Sequence, residues 1–413
     1  MKFNKFIYYY FFLIFSVLPI SVVIGPSVSL INIILIDLSF VFLLFYTKKF
    51  SFFKNKAFQL LLVLYLYLIF NSFISIQPEL NIYRNFGFVR IILLFVAFNY
   101  FFNKKFFFKK VFFIWLIFIT FIVLDVFVES FFGQNLIGYG GVYGKRIVSF
   151  FRDEPVVGWY ILSFYFVIIG YLLDYYKKTS QNKTFILYLI FLIAIILTGE
   201  RSSSIKAIIG ASLFFLFYNK FDLKKKFLIL ISFLIFLSFL ILNSDYLKHR
   251  FLNQAFFTKH DQSVLSNIDD SLYFKHYKSG IEVFKNNKLI GVGNKNYRIE
   301  TCSEKDNLNI NQKKNYLCST HPHQIYFELL SEHGLFGTIL LLSIFFHLVF
   351  YKVLKYFTKE NYIHKGALIY LFLFFIPLIP SGSFFSDYTI TIFGLNLSIL
   401  YGSSKRLNIF NNT

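Results

Sequence analysis

The residues best suited to chemistry in this sequence are arginines and histidines in short polar segments between long apolar runs. Arg146 and Arg152 lie in the first segment, Arg201 in the second, and His321 and His323 in the third. A planar guanidinium offers paired donors to phosphate oxygens, and an imidazole can accept a proton near neutral pH. Together they predict a site that binds a diphosphate and removes a proton from a hydroxyl group.

The setting of the histidines favours His323 and leaves His321 as an alternative. Ser319 and Thr320 are suited to cap a helix and Pro322 to start it, so the sequence predicts that His323 lies in the start of a helix that then enters the membrane. An imidazole at that water-lipid boundary could act on a sugar hydroxyl acting as a nucleophile. The alternative role for either histidine is structural.

The sequence lacks the motifs of several other enzyme classes. It contains no G-x-x-x-x-G-K-[ST] phosphate loop, no H-E-x-x-H zinc motif and no G-x-S-x-G nucleophile elbow. We therefore expect neither a metal ion nor another cofactor.

Apolar composition predicts an all-α polytopic membrane protein. Of 413 residues, 57% are hydrophobic and 62 are Phe, which exceeds what one soluble core of this length normally buries. Apolar runs long enough to cross the hydrocarbon layer as helices recur throughout. The twelve predicted spans are 6–25, 28–46, 57–76, 86–102, 111–132, 156–175, 184–198, 204–218, 226–243, 334–351, 364–380 and 387–403. The first lacks a small-residue cleavage site, so we expect it to be retained.

The net charge of +21 would suggest nucleic acid binding in a soluble protein, but its distribution indicates membrane topology instead. Lysines cluster in alternate connections between spans, which are therefore predicted to be cytoplasmic. Both termini fall on the same side. We expect a multi-pass protein of the bacterial inner membrane with both termini in the cytoplasm and no nucleic acid partner.

Arginines on the outward face run against this charge bias, so each needs a reason. Pairing with a neighbouring carboxylate is one, as Arg152 with Glu154 or Arg201 with Glu200. An anion site is the other. Arg90 lies inside a predicted span and is a secondary candidate for the site, as is Arg146.

One connection is long, so the chain divides into spans one to nine (1–243), a large periplasmic loop (244–333) and spans ten to twelve (334–413). Residues 271–288 have apolar positions close to helical spacing and predict an amphipathic helix at the membrane surface or over the bundle. Both cysteines of the chain, Cys302 and Cys318, lie in this loop, where a disulfide is permitted, so we expect them to form one; two free thiols are the alternative.

These segments resemble the O-antigen ligase family. His323-Gln324, nine residues, then Gly334 and Gly337-Thr338 resemble its H-[NSQ]-x9-G-x-x-G-T signature at the end of a large periplasmic loop. Residues 281–298, with a central Gly-Val-Gly, and 198–203 are similar to two further family segments. FFRDEPVVGWYI, which holds Arg152, resembles a segment of both ligases and polymerases.

The resemblance implies a GT-C-like glycosyltransferase that uses no nucleotide sugar. It would move a glycan from undecaprenyl diphosphate to a sugar hydroxyl, either on the lipid A core or on a lipid-linked glycan, among membrane lipids. His323 would be the base or would orient the acceptor, while Arg201, with Arg152 or Arg298, would hold the diphosphate.

Three alternative functions stay open. O-antigen polymerases of the same superfamily often carry paired R-x10-G motifs, which are absent here; Arg146 and Gly158 miss that spacing by one residue. A flippase or other transporter predicts internal symmetry and charged residues lining a central cavity, and neither is evident. A non-catalytic assembly protein predicts no loss of function when His323 is replaced.

Overall fold

The computed structural model describes residues 5–104, 106–140, 146–152, 154–176, 181–218, 222–253, 271–302, 316–351, 353–354 and 360–411, with the backbone alone at 181 and 182. All regular structure in these ranges is helical. The predicted all-α class is therefore confirmed.

The helices follow one another with short turns except in the large loop. They are α1 Lys5–Ser16, α2 Leu18–Ile24, α3 Pro26–Thr47, α4 Lys56–Ile74, α5 Ile82–Phe86, α6 Val89–Phe102, α7 Phe107–Phe132, α8 Val157–Tyr175, α9 Gln181–Leu197, α10 Arg201–Leu216, α11 Leu223–Asn243, α12 Asp245–Lys248, α13 Leu272–Asn286, α14 Tyr297–Cys302, α15 Ile325–Phe346, α16 Tyr362–Phe374 and α17 Asp387–Ser403. Short 3-10 turns occur at Ser51–Lys54, Pro78–Leu80 and Ser149–Phe151, and π-helical turns at His249–Asn253 and His347–Tyr351.

Each predicted span coincides with a helix, but fewer than twelve have the length of a full crossing. In the described part of the chain, eight helical segments are long and apolar enough to cross a membrane. They are Lys5–Ile24, Pro26–Thr47, Lys56–Ile74, Ile82–Phe102, Phe107–Phe132, Val157–Tyr175, Leu223–Asn243 and Ile325–Tyr351. Helices α9 and α16 are apolar but shorter, and α10 and α17 have only 16 and 17 residues, so the number of twelve crossings stays a prediction.

Helix α8 lies at the centre of the bundle, against α7, α9, α10 and α16. Glycines let α8 and α16 approach closely, because a Cβ atom at Gly170 would lie 2.3 Å from the Tyr362 carbonyl oxygen and one at Gly366 would lie 2.2 Å from that of Phe166. Small residues at such contacts are typical of helix packing in membranes. Helix α11, in contrast, is mostly exposed and lies at the periphery.

The predicted span 364–380 ends too late, and the span 334–351 begins too late. Helix α16 ends at Phe374 because Pro377 and Pro380 each disfavour helical backbone in the residue before them. Residues 375–386 leave the helix and pack against the large loop. Helix α15 begins at Ile325, and Gly334 breaks its regular geometry with φ 62° and ψ −168°.

The predicted amphipathic helix is α13, and it packs against α15. The ring of Tyr277 stacks on that of Phe327, with centroids 4.9 Å apart. Gly280 allows this approach, since a Cβ there would lie 3.0 Å from Pro322 and 3.1 Å from Phe327. The large loop is therefore anchored on the helix that carries the His-Gln motif.

Candidate active site

His323 stands just before α15 and not within it, which corrects the predicted helix start. Gln324 is the N-cap, and its side-chain oxygen accepts the N–H groups of Tyr326 (2.8 Å) and Phe327 (3.4 Å). His323 has a φ of 57°, a left-handed conformation that cannot be part of the helix. Its carbonyl accepts the N–H of Ser381 at 2.8 Å. Ser319, Thr320 and Pro322 therefore do not form the start of α15, contrary to the sequence prediction.

Three imidazoles meet at this point. The ring centroid of His323 lies 4.1 Å from that of His321 and 4.6 Å from that of His276, which α13 contributes. The ring of Tyr273 lies 6.0 Å from His323. In the described ranges, no group of three or more His, Cys, Asp or Glu side chains is arranged to hold a metal ion.

The three histidines, His276, His321 and His323, share an environment that keeps their rings neutral. Burial, followed by the Lys295 ammonium, lowers the pKa of His321 to about 4. Burial and then the other two imidazoles lower the pKa of His323 to about 3. Burial lowers the pKa of His276 as well. Near neutral pH the rings are therefore unprotonated in the free protein.

Arginines form a second cluster, of Arg146, Arg201 and Arg250. Burial, then the charges of Arg146 and Arg201, lower the pKa of Arg250, so the three guanidinium groups act on one another. Arg250 donates to the Gly199 carbonyl from both Nη2 (3.0 Å) and Nε (3.3 Å). Like charges gathered at partly buried positions favour binding of an anion. Sequence reasoning did not single out Arg250, although it lies outside the cytoplasmic lysine clusters.

Glu200 has a structural task beside this arginine cluster. Its carboxylate accepts the N–H groups of Gly158 (2.6 Å) and Trp159 (2.9 Å) at the start of α8, and the hydroxyl of Ser203 (2.8 Å). Burial raises the pKa of Glu200 to about 7. The carboxylate next to Arg201 therefore fixes the outer ends of α8 and α10.

Tyr273 connects the two clusters. Its phenol is among the groups that act electrostatically on Arg250, and its ring contacts His323. The histidine cluster and the arginine cluster are therefore both near Tyr273, although Arg250 and His323 are far apart in sequence. This arrangement can hold an anionic group next to a proton acceptor.

Other predicted site residues lie elsewhere. Arg152 and Arg298 are exposed, and Arg152 has a left-handed φ of 57°. Arg90 pairs with Asp387 at 2.6 Å, and Arg84 contacts the same carboxylate at 3.2 Å. Arg90 therefore has a carboxylate partner of its own.

Two carboxylates within the predicted spans hold the connection after α7. Both oxygens of Glu129 accept backbone N–H groups, from Val148 (3.0 Å) and Ser149 (2.6 Å). Asp125 accepts the N–H of Leu136 (2.9 Å) and the hydroxyl of Ser149 (2.5 Å). These contacts give both carboxylates a structural role, so their place within the predicted spans does not require the transporter alternative.

Cys302 and Cys318 form a disulfide, with Cα atoms 4.6 Å apart. The Leu317 N–H donates to the Ser279 hydroxyl on α13 at 3.0 Å. The bond therefore holds the chain before α15 close to α13 and α14. Residues 303–315, between the two cysteines, lie outside the described part.

The Gly-Val-Gly segment docks on the break in α15. Backbone hydrogen bonds join the two: Leu335 N–H to Lys288 O (2.8 Å), Phe336 N–H to Leu289 O (3.1 Å), Val292 N–H to Ser331 O (3.0 Å) and Gly293 N–H to Glu332 O (2.8 Å). In an unbroken helix the N–H groups of Leu335 and Phe336 and the carbonyls of Ser331 and Glu332 would bond within the helix and could not bind the loop. The break at Gly334 thus creates a docking edge for the loop.

Glycine is required where these two backbones meet. A Cβ atom at Gly291 would lie 2.4 Å from the Glu332 carbonyl carbon, and one at Gly334 would lie 2.4 Å from that of Leu289. Both glycines also have left-handed φ values, 70° and 62°. The contact explains why the Gly-Val-Gly segment and the first glycine of the His-Gln motif occur together.

Asparagines fasten the next residues to the C-terminal end of α4 and to α5. The Asn294 N–H donates to the Asn71 side chain (2.7 Å), and its amide donates to Asn85 (2.5 Å). The Asn296 side chain accepts the Gln77 N–H at 2.9 Å. We call these five residues the amide clamp; it fixes the loop on the membrane helices.

Fold and site together define a class: a polytopic helical membrane protein with a neutral histidine cluster beside an arginine cluster. Residues 186–342 match the family model described as O-antigen ligase. This match supports the O-antigen ligase and polymerase superfamily, the resemblance that the His-Gln motif indicated. The match includes Arg201, Arg250 and His323. No curated protein matches the chain.

Proposed function

We propose that this protein is a glycosyltransferase that moves a glycan from undecaprenyl diphosphate to a sugar hydroxyl of the lipid A core, at the periplasmic face of the inner membrane. The observation that carries the proposal is the position of Tyr273, whose ring lies 6.0 Å from that of His323 and whose phenol acts electrostatically on Arg250. Transfer to a hydroxyl needs a proton acceptor and an anion site in adjacent positions.

In the proposed reaction, the acceptor oxygen attacks the anomeric carbon of the donor glycan. The bond from that carbon to the phosphate oxygen breaks, and its electron pair leaves with undecaprenyl diphosphate. His323 takes the hydroxyl proton, while Arg201, Arg250 and Arg146 bind the diphosphate oxygens. A diphosphate in this position raises the pKa of His323 from its low value in the free protein, because an opposite charge favours imidazolium.

A polymerase is the second candidate, because ligases and polymerases of the superfamily share the donor and differ in the acceptor. Glycan analysis of a strain that lacks this protein separates them. Uncapped lipid A core with accumulated polymer indicates a ligase, and core capped with a single repeat indicates a polymerase.

Arg201→Lys keeps the charge but loses the paired donors of the guanidinium. We expect transfer to fall about 10- to 100-fold, the value of a charge-assisted hydrogen bond of about 1.5–3 kcal/mol. Transfer from undecaprenyl diphosphate-linked glycan is measured in membranes with matched protein levels. Arg406→Lys, at the exposed end after α17, is the control with the same substitution. Near-wild-type transfer by Arg201→Lys would argue against a diphosphate at this cluster.

The proposed topology rests on the lysine distribution and predicts opposite sides for two lysines. Alkaline phosphatase fused at Lys225, in the first turn of α11, is expected to be inactive in the cytoplasm. The same reporter at Lys285, in α13, is expected to be active outside. Lys259, another position in the large loop, lies outside the described residues. Equal activity of both fusions would contradict the proposed orientation.

A further inference from the structure

Lys295 is a mostly buried cation close to the histidine cluster. Its backbone has a left-handed φ of 63°, and the amide clamp holds the residues on either side. Its side chain is 13% exposed, and Nζ donates to the Ser383 hydroxyl and lies 3.9 Å from Glu328 Oε1. A lysine buried to this extent needs a partner, and this one has a carboxylate and a hydroxyl.

Glu328 completes the network from the first turn of α15. Its side chain is fully buried, and its carboxylate accepts the Ser383 hydroxyl (2.5 Å) and the Phe384 N–H (2.9 Å). Lys295 and Glu328 therefore both bind Ser383, and Glu328 also binds Phe384 in the segment 381–384. That segment lies far from both in sequence.

The other end of the segment 381–384 binds His323. The Ser381 N–H donates to the His323 carbonyl, and His323 has the left-handed backbone that a residue with a side chain rarely adopts. Such a conformation persists when surrounding contacts over-determine it. The segment is thus placed to fix the backbone from which the His323 imidazole projects.

We infer that Lys295 and Glu328 are positioning residues that hold His323 in its reactive orientation through the segment 381–384. This inference rests on the proposed function of His323. Neither residue needs to touch a substrate for this role. The arginines come from other elements: Arg201 from α10, Arg250 from the His249–Asn253 turn, and Arg146 from the residues before the Ser149–Phe151 turn. We therefore expect the network to affect donor binding less than catalysis.

The double variant Lys295→Met/Glu328→Gln tests the inference, because it removes both charges and leaves neither buried alone. In the full-length protein in proteoliposomes, we expect kcat for glycan transfer to fall about 10- to 100-fold, the cost of misplacing a catalytic group by about 1 Å. KM for the undecaprenyl diphosphate-linked donor should stay within about 3-fold of wild type. The single variant Lys295→Arg keeps the cation and should therefore retain most of the wild-type kcat.

The same double variant in a His323→Ala background separates positioning from a general structural role. If the network acts through His323, it should cost no further activity once the imidazole is gone. Lys285→Met is the matched control, since Lys285 forms an exposed ion pair with Glu282 at 2.7 Å on the same loop, and it should leave kcat within about 2-fold.

Each outcome of this cycle decides one point. Equal fold losses with and without His323, or a rise in KM with kcat unchanged, would overturn the positioning role while leaving the proposed function intact. If His323→Ala itself transfers at the wild-type rate, the proposed function fails first, and the positioning role with it. If the double variant lowers kcat only when His323 is present, the result supports both the proposed function and the positioning role.

Discussion

Replacing His323 with alanine is expected to lower glycan transfer about 100- to 10,000-fold, the usual contribution of a general base. The imidazole is half-buried, neutral at physiological pH and next to the arginine cluster through Tyr273. Alanine removes the proton acceptor and leaves the Gln324 cap of α15 in place. Initial rates of transfer to the acceptor, with saturating donor in proteoliposomes, measure the effect.

Comparison with other histidines makes this result specific. His321 is more buried, and its Nδ1 is already within 2.9 Å of the Thr320 hydroxyl, so His321→Ala should cost less than His323→Ala. His347 stacks on Tyr351 at the far end of α15, and His347→Ala should leave transfer unchanged within about 2-fold, as for a surface change. A larger loss at His321 than at His323 would transfer the base role to His321.

Gly291→Ala is expected to have the second largest effect. It acts through a backbone clash that lowers stability and leaves the reacting groups themselves unchanged. The added Cβ would lie 2.4 Å from the Glu332 carbonyl carbon and 2.5 Å from the His333 nitrogen, at a φ of 70°. Left-handed strain and overpacking each cost about 1–3 kcal/mol, so the free energy of unfolding should fall by about 2–6 kcal/mol. Thermal unfolding in nanodiscs measures it, and transfer should fall as the loop loses its docking edge.

Gly133→Ala is the matched control for this substitution. Gly133 ends α7 with a φ of 77°, but a Cβ there would have no atom within 4 Å. It isolates backbone strain, about 1–2 kcal/mol. Equal destabilisation by the two substitutions would mean that the close approach of the Gly-Val-Gly segment to α15 adds nothing.

The membrane helices were readable from sequence because the signal is local. A run of apolar residues states both where a helix lies and which solvent surrounds it, so segments such as 111–132 and 156–175 coincide with α7 and α8. Helix ends were less certain where apolar composition continued past a break. Pro377 and Pro380 carried the information that ends α16, yet the hydropathy of 364–380 outweighed it.

The site was readable only in part, because its contacts join distant segments. His321, His323 and Arg201 were found from residue type and position. Arg250 is also an arginine outside the cytoplasmic lysine clusters, but it lies in a long loop where no motif marks it. Tertiary contact alone identifies His276, which reads as an ordinary polar position on an amphipathic helix.

Lys295 and the segment 381–384 had no local signal at all. A lysine in a polar loop normally indicates a solvated side chain. Its burial follows from the docking of residues 288–296 on α15 and the amide clamp, which a single sequence does not encode as a pattern. The left-handed backbone of His323 could not be predicted for the same reason. It is supported by the N–H of Ser381, a residue that follows α16 and is distant in sequence.

The amide clamp has a consequence for an organism whose surroundings change. Asn294 and Asn296, with their partners on α4, on α5 and at Gln77 between these helices, carry no net charge and do not titrate. Dissolved salt screens ion pairs, and acid neutralises carboxylates, but neither acts on a bond between two amides. This part of the large loop's attachment to the membrane helices therefore does not vary with the salinity or acidity of its surroundings, unlike the ion pair of Lys295 with Glu328.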